Sequence, residues 1–192
     1  MKALKTSLDN VYIFEIQSFP DERGFFYESY NSIKFKSEVD EMQKGFNDNF
    51  YQDNISISSK NVLRGLHFQS SPYSQGKFIK VLKGSIYDVV VDLRLDSSTF
   101  GKWESFDINA KNNLALWVPK GFAHGFLSLE DNTIVSYKAT NPYKKNHEET
   151  IIWNDSNLKI KWPCMNPIVS DKDNHGIEWK EVIFEKTTDF NK

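Results

Sequence analysis

The chain has 192 residues, about one domain on the prior of ~100–200 residues per domain, and a domain of that length buries roughly 70% of its unfolded surface without covalent staples. Its 24 basic and 26 acidic side chains leave a formal charge of −2, a balance that gives no field to draw nucleic acid or an anionic membrane. The lone cysteine, Cys164, has no partner for an internal disulfide and reads as a reducing, cytoplasmic setting.

No apolar run approaches the ~18 residues of a membrane span, and Met1-Lys2-Ala3-Leu4-Lys5 is not followed by the apolar core of a signal peptide. Aromatic residues are abundant, with 15 Phe, 8 Tyr and 5 Trp, which favours a β-rich core or a pocket that stacks on flat ligands. Repeats, low-complexity tracts and linker-like composition shifts are lacking, so a single domain over 1–192 is expected.

One helix is expected early. Asn31 or Ser32 caps it, Phe35, Val39 and Met42 form one apolar stripe, and Gly45 ends it. From residue 50 the texture is short strands between turn signals. Val62-Leu63 is expected to end at Arg64-Gly65. Phe78 to Leu82 precedes Lys83-Gly84, and Ser85 to Leu93 carries Val89, Val90 and Val91 in succession. After Phe100-Gly101 come an alternating Trp103–Ile108, the turn Asn112-Asn113 and the strand Leu114–Val118. Phe126–Leu129 is broken by Glu130-Asp131-Asn132 before Thr133–Tyr137. Turns every ~8–12 residues with little helix between them favour an antiparallel sandwich or barrel over βαβ units. The tail from Trp153 is mixed and charged, and is expected to wrap the barrel or pack on a partner.

The four histidines are few enough to weigh singly. In Leu63-Arg64-Gly65-Leu66-His67-Phe68-Gln69, the polar residues Arg64 and His67 alternate poorly with Leu63 and Leu66, so they face either a site or solvent. In Pro119-Lys120-Gly121-Phe122-Ala123-His124-Gly125-Phe126, Pro and Gly make a tight turn and the next strand points His124 inward between two aromatics. That pattern resembles the second motif of the cupin barrels, where such a histidine holds either a metal or a structural place. A barrel metal needs three or four converging ligands. Leu66-His67-Phe68 supplies one, and no Glu follows until Glu104, so no metal is expected. His147 and His175 lie in charged, loop-like contexts and are expected at the surface.

Without a metal, the chemistry falls to His67, Lys77, Tyr137, Tyr143, Arg64, Arg23 and the acids near Asp171 and Asp173. A histidine oriented by a carboxylate is a general base near neutral pH. A tyrosine, with a reference pKa near ~10, returns a proton, and a lysine stabilises an enolate by its charge. That set suits proton abstraction beside a carbonyl. It holds no evident nucleophile, because nothing around Cys164 forms a motif.

A run of motifs in order ties the chain to a family. They are Asp21-Glu22-Arg23-Gly24-Phe25-Phe26-Tyr27-Glu28, Gln52-Asp53-Asn54-Ile55-Ser56, Leu63 to Gln69, Gln75-Gly76-Lys77, Asp88 to Arg94, Pro119 to Phe126, Tyr137-Lys138-Ala139-Thr140 and Ser170-Asp171-Lys172-Asp173. Together, from about Phe19 to Asp173, they resemble the dTDP-4-dehydrorhamnose 3,5-epimerase family of deoxysugar biosynthesis. The resemblance implies an all-β, cupin-type jelly-roll barrel with a few short helices, a homodimer, and neither metal nor organic cofactor.

It also implies roles. His67 is the base and Asp173 its carboxylate partner. Tyr137 is the proton donor, and Lys77 sits near the developing enolate. Arg23, Glu28, Gln52, Asn54, Arg64, His124, Glu148 and Lys172 fall where the family grips nucleotide, diphosphate and sugar, and Tyr143 where an aromatic stacks on thymine. Pro142 before Tyr143 leaves dTDP, CDP and GDP all open as carriers. A single-carbon epimerase or ketoisomerase of a related nucleotide sugar is the alternative enzyme, and a sugar- or metal-binding cupin the alternative outside catalysis.

Overall fold

A computed structural model of the chain describes residues 1–183; residues 184–192 of the expected domain lie outside the described part. The strands are β1 (Lys2–Lys5), β2 (Tyr12–Glu15), β3 (Ser18–Asp21), β4 (Gly24–Tyr27), β5 (Gln52–Ser58), β6 (Leu63–Gln69), β7 (Lys77–Lys83), β8 (Ser85–Asp92), β9 (Trp103–Asn109), β10 (Leu114–Val118), β11 (Phe122–Ser128), β12 (Thr133–Ala139) and β13 (Glu148–Thr150). The helices are α1 (Ser32–Met42), α2 (Asp171–Asn174) and a helical stretch at 179–183, with a 3₁₀ turn at Lys145–His147.

The strands form a six-stranded sheet, β1-β2-β10-β7-β12-β5, a five-stranded sheet, β13-β6-β11-β8-β9, and the hairpin β3-β4. All of their ladders are antiparallel. From β5 onward the chain passes repeatedly from one large sheet to the other, the winding of a jelly-roll barrel. The all-β expectation holds.

The periodicity of the strands sorts their side chains into three packed layers. Between the sheets lie Ile79 and Val81 of β7, Ile86 and Val90 of β8, Phe122 and Phe126 of β11, and Val135 of β12. The outer face of the six-stranded sheet carries Phe14, Phe78, Ala115 and Trp117, and α1 covers it with Phe35 and Val39. The stripe expected of that helix is therefore its buried face. Asn31 caps α1 by accepting from the N–H groups of Ile33 and Lys34, an interaction whose loss costs about 1 kcal/mol. On the outer face of the five-stranded sheet, Leu66, Val89, Val91 and Ala123 are covered by Ile151, Leu158, Trp179 and Val182. As far as residue 183, the tail thus packs on its own barrel.

Turns fall where their residues allow. Asn113, Asn132 and Gly84 have positive φ, at 52°, 55° and 77°, as these connections require. Two strand expectations need correction. β11 starts at Phe122, before the expected Phe126. The strand expected to stop at Arg64-Gly65 continues to Gln69 as β6. Gly65 does not turn the chain but lets two backbones meet, since a Cβ there would lie 2.5 Å from Cα of Gly125. The four-residue strands β1–β4, along with β5 and β13, had no separate expectation.

Candidate active site

The register of β6 against β11 explains the awkward spacing of Arg64 and His67. His67 pairs with His124, whereas Arg64 pairs with Phe126. Three steps on β6 thus oppose two on β11, which is a β-bulge. Since directly opposed residues point to the same side, the extra residue turns both Arg64 and His67 to the inner face.

His67 is held there by α2. Ser170 caps that helix, accepting from the N–H of Asp173 at 3.2 Å, and the Asp173 side chain is 5% exposed. Its Oδ1 lies 2.6 Å from Nε2 of His67, and its Oδ2 accepts from the N–H of Gly65 at 3.1 Å. Burial pushes the Asp173 carboxyl up, but His67, the Gly65 N–H and Lys172 outweigh it and hold it below the usual range. A carboxylate only accepts, so Nε2 is the donor and Nδ1 is left for a substrate.

One cavity at this end of the barrel is lined by Gln52, Asn54, His67, Phe68, Gln69, Gln75, Lys77, Tyr137, Tyr143 and Glu148. Tyr137 projects from β12 opposite Asn54 of β5. Burial and Glu148 push its phenol up, with Arg64 pulling the other way, so it keeps its proton through the neutral range. Burial pushes the Lys77 ammonium down to about 8, against the pull of Asp88 and Glu148. At the rim, the Tyr143 hydroxyl donates to Glu148 Oε2 at 2.8 Å, and Lys172 reaches the same oxygen at 2.5 Å. The Tyr143 N–H donates to Gln52 Oε1 at 2.8 Å, and Gln52 in turn donates to Asn54. A second opening, behind His67, is lined by Arg64, Lys172 and Asp173 among others.

Ten of the thirteen expected site residues therefore line these two openings, with His67 common to both. His124 is deeper, buried between the sheets with Nε2 2.9 Å from Asp88 Oδ2. Arg23 and Glu28 are elsewhere. Arg23, at the tip of the β3-β4 hairpin, pairs with Asp21, and Glu28 pairs with Lys34. His175 is exposed as expected. His147 is only half-buried, set against the ring of Tyr73 at 4.6 Å. Asp88, which holds His124, has one signal in the sequence, a lone acid inside the apolar run Ile86–Val91. A separate groove along Tyr30, Lys36, Asp53 and Lys138 has no histidine, and its Lys138 is already paired with Asp53.

Among the described residues, no three His, Cys, Asp or Glu side chains are grouped to hold a metal ion. The fold and the side chains in its mouth define an all-β barrel whose cavity gathers an imidazole, a phenol and an amine, groups able to exchange protons.

The family model for dTDP-4-dehydrorhamnose 3,5-epimerase matches residues 5–181. A dTDP-4-dehydrorhamnose 3,5-epimerase of Shigella flexneri is 47% identical over 96% of this chain and 99% of its own length. The crystal structure of the same enzyme from Elizabethkingia anophelis superposes with a TM-score of 0.87 at 45% identity, covering 94% of this chain and 97% of that one. The dTDP-6-deoxy-D-glucose-3,5-epimerase of Legionella pneumophila, solved in complex with dTDP-4-keto-L-rhamnose, gives 0.85 at 41% identity over 91% and 90%. The chain belongs to the dTDP-4-dehydrorhamnose 3,5-epimerase family.

Proposed function

We propose that the chain converts dTDP-4-dehydro-6-deoxy-D-glucose to dTDP-4-dehydro-L-rhamnose by inverting carbons 3 and 5, using its own side chains. The observation that carries this reading is the common cavity of His67, Lys77 and Tyr137, with the imidazole held by Asp173. The ketone at carbon 4 acidifies the protons on both flanking carbons. His67 Nδ1 takes one of them, and the electron pair moves onto the ketone oxygen as an enolate. The Lys77 ammonium stabilises that oxygen. Tyr137 delivers its proton to the opposite face of the same carbon, then is reprotonated as His67 releases its own proton. A second round inverts the other carbon. No electrons leave the sugar, so the reaction needs no redox partner.

The test is proton NMR of the purified 4-keto-6-deoxy sugar on dTDP in deuterated water, repeated on CDP and GDP. Two deuterons in the product support double inversion, one indicates a single-carbon epimerase, and no exchange on any carrier defeats the enzyme reading.

Arg64 and Lys172 supply positive charge for the diphosphate, Gln52, Asn54 and Glu148 grip the nucleotide and sugar, and His124 borders the sugar from below. Tyr143, half exposed at the rim, stacks on the base. Stacking on an aromatic is worth ~1–3 kcal/mol. Tyr143→Ala is therefore expected to raise KM about tenfold while kcat changes little. A fall in kcat with KM unchanged sinks the stacking role.

Arg23 and Glu28 complete the nucleotide grip only across a dimer. The hairpin that carries Arg23 exposes Phe19, Phe25 and Phe26, at 50%, 64% and 70%, and the edge strand β5 exposes Ile55 and Ile57. Large apolar groups gathered in this way need a cover, and a second copy of the chain provides it. Sedimentation at micromolar concentration is expected to give about twice the 22.4 kDa of the chain. Phe25→Ser with Phe26→Ser is expected to shift it towards monomer and raise KM; an unaltered dimer with unaltered KM contradicts this arrangement. The shared barrel core supports one domain, and the lone cysteine a reducing, cytoplasmic setting. No helix among the described residues is long and apolar enough to cross a membrane.

A further inference from the structure

Gln69 closes β6 and ends the motif Leu63 to Gln69, and the reaction above gives it no part. It is 6% exposed and lines the cavity. A buried amide needs partners for its carbonyl and for its N–H bonds. Gln69 finds three, all on the backbone of two neighbouring loops. Its Oε1 accepts from the N–H of Lys144 at 2.7 Å. Its Nε2 donates to the carbonyls of Tyr73 at 2.6 Å and Pro142 at 3.3 Å. An N–H on one side and two carbonyls on the other leave the amide one orientation.

Two of these groups flank Tyr143. The Pro142 carbonyl belongs to the peptide before it, and the Lys144 N–H to the peptide after it. The Tyr143 N–H itself goes to Gln52 Oε1 at 2.8 Å. Residues 142–144 belong to no helix or strand, so these side-chain bonds stand where a ladder would otherwise fix the chain. The two loops are also stitched to each other. Gln75 Nε2 donates to the Asn141 carbonyl at 2.7 Å, and Asn141 Nδ2 to the Ser74 carbonyl at 2.8 Å. The Tyr143 side chain is 49% exposed, so its place is set by its backbone and by the bond of its hydroxyl to Glu148. Glu148 lies opposite Gln69 in the ladder of β13 on β6, which ties both ends of that side chain to one strand pair.

We propose that Gln69 is a positioning residue for the nucleotide: its amide grips the backbone on both sides of Tyr143 and sets that ring at the cavity mouth before a ligand arrives. This rests on the reading of Tyr143 as the surface on which the base stacks. A ring that is ordered only on binding costs affinity, and one already held does not.

Gln69→Met keeps the length of the side chain and removes its hydrogen bonds. Calorimetric titration of the intact enzyme with dTDP is expected to show binding weakened about fivefold, less than in Tyr143→Ala, which removes the stacking surface outright. Tyr143→Ala combined with Gln69→Met is expected to bind dTDP no more weakly than Tyr143→Ala alone, because no ring is left to position. Losses that multiply instead show that Gln69 acts on the fold at large, and they overturn the proposal. Unchanged dTDP binding in Gln69→Met overturns it too. Gln69→Asn, uncharged and one methylene shorter, leaves the same backbone groups to water and is the milder variant, expected to follow the same pattern at about threefold.

In turnover the loss is expected in KM rather than in kcat, since the three hydrogen bonds of the amide go to none of His67, Lys77 and Tyr137. A fall in kcat with KM unchanged sinks the positioning role. If wild-type enzyme exchanges no proton into any 4-keto sugar, the epimerase reading fails, and the dTDP titrations still judge Gln69. If Tyr143→Ala binds dTDP as the wild type does, the stacking reading falls and takes this proposal with it.

Discussion

His67→Gln will lower kcat by about 10²–10⁴-fold, the usual contribution of a positioned base, and will abolish deuterium uptake at both sugar carbons. Glutamine, whose amide reaches about as far as Nε2, keeps a donor for Asp173, whose buried carboxylate otherwise loses its nearest partner, so the variant tests proton abstraction rather than the packing of α2. The dyad makes the effect large. Asp173 draws Nε2 to one side at 2.6 Å, leaving Nδ1 to the cavity. Among the residues lining the cavity, His67 is the one whose ring a buried carboxylate holds at hydrogen-bond distance. Retention of more than a tenth of wild-type turnover would mean that the base lies elsewhere.

Tyr137→Phe separates exchange from inversion. The change removes one hydroxyl from a half-buried ring and leaves the barrel core intact. His67 still takes protons and returns them to the face they came from. Substrate is therefore expected to pick up deuterium with its configuration retained, while inverted product forms about 10²-fold or more slowly, in line with loss of a general acid. The phenol suits this part because burial and Glu148 hold its proton on well above neutral pH. Inverted product at the wild-type rate would assign proton delivery to water and sink the role of Tyr137.

The parts of this site that were legible in the amino-acid order are those whose local context is unusual. His124 follows a Pro-x-Gly turn, Lys77 follows a glycine at a strand start, and Asp173 sits three residues after a capping serine. The bulge in β6 was not legible. Arg64-Gly65 reads as a turn, because nothing in the strand itself says that another glycine, Gly125, will press against it. Asp88 was hidden for a related reason: an acid in a valine run has no meaning until the neighbouring strand sets His124 against it. The short N-terminal strands are four residues each, too short for a clear alternation of their own; β1 and β3 pair with the neighbouring β2 and β4, and β2 also reaches the distant β10. Arg23 and Glu28, recognisable as part of a motif, lie away from the cavity within one chain.

Residue types and their spacing determined the class: a turn-rich β chain with one amphipathic helix and a stock of acid, base and cation suited to a ketone. Those features follow from steric preferences within a few residues, such as asparagine and glycine at positive φ or a capped helix with an apolar stripe. Convergence was decided elsewhere. A strand reveals which residues share a face but not which strand will lie beside it, and one extra residue in β6 reverses the face that follows. Only the folded barrel, pairing residues as far apart as His67 and Asp173, made a stock of side chains into a single site.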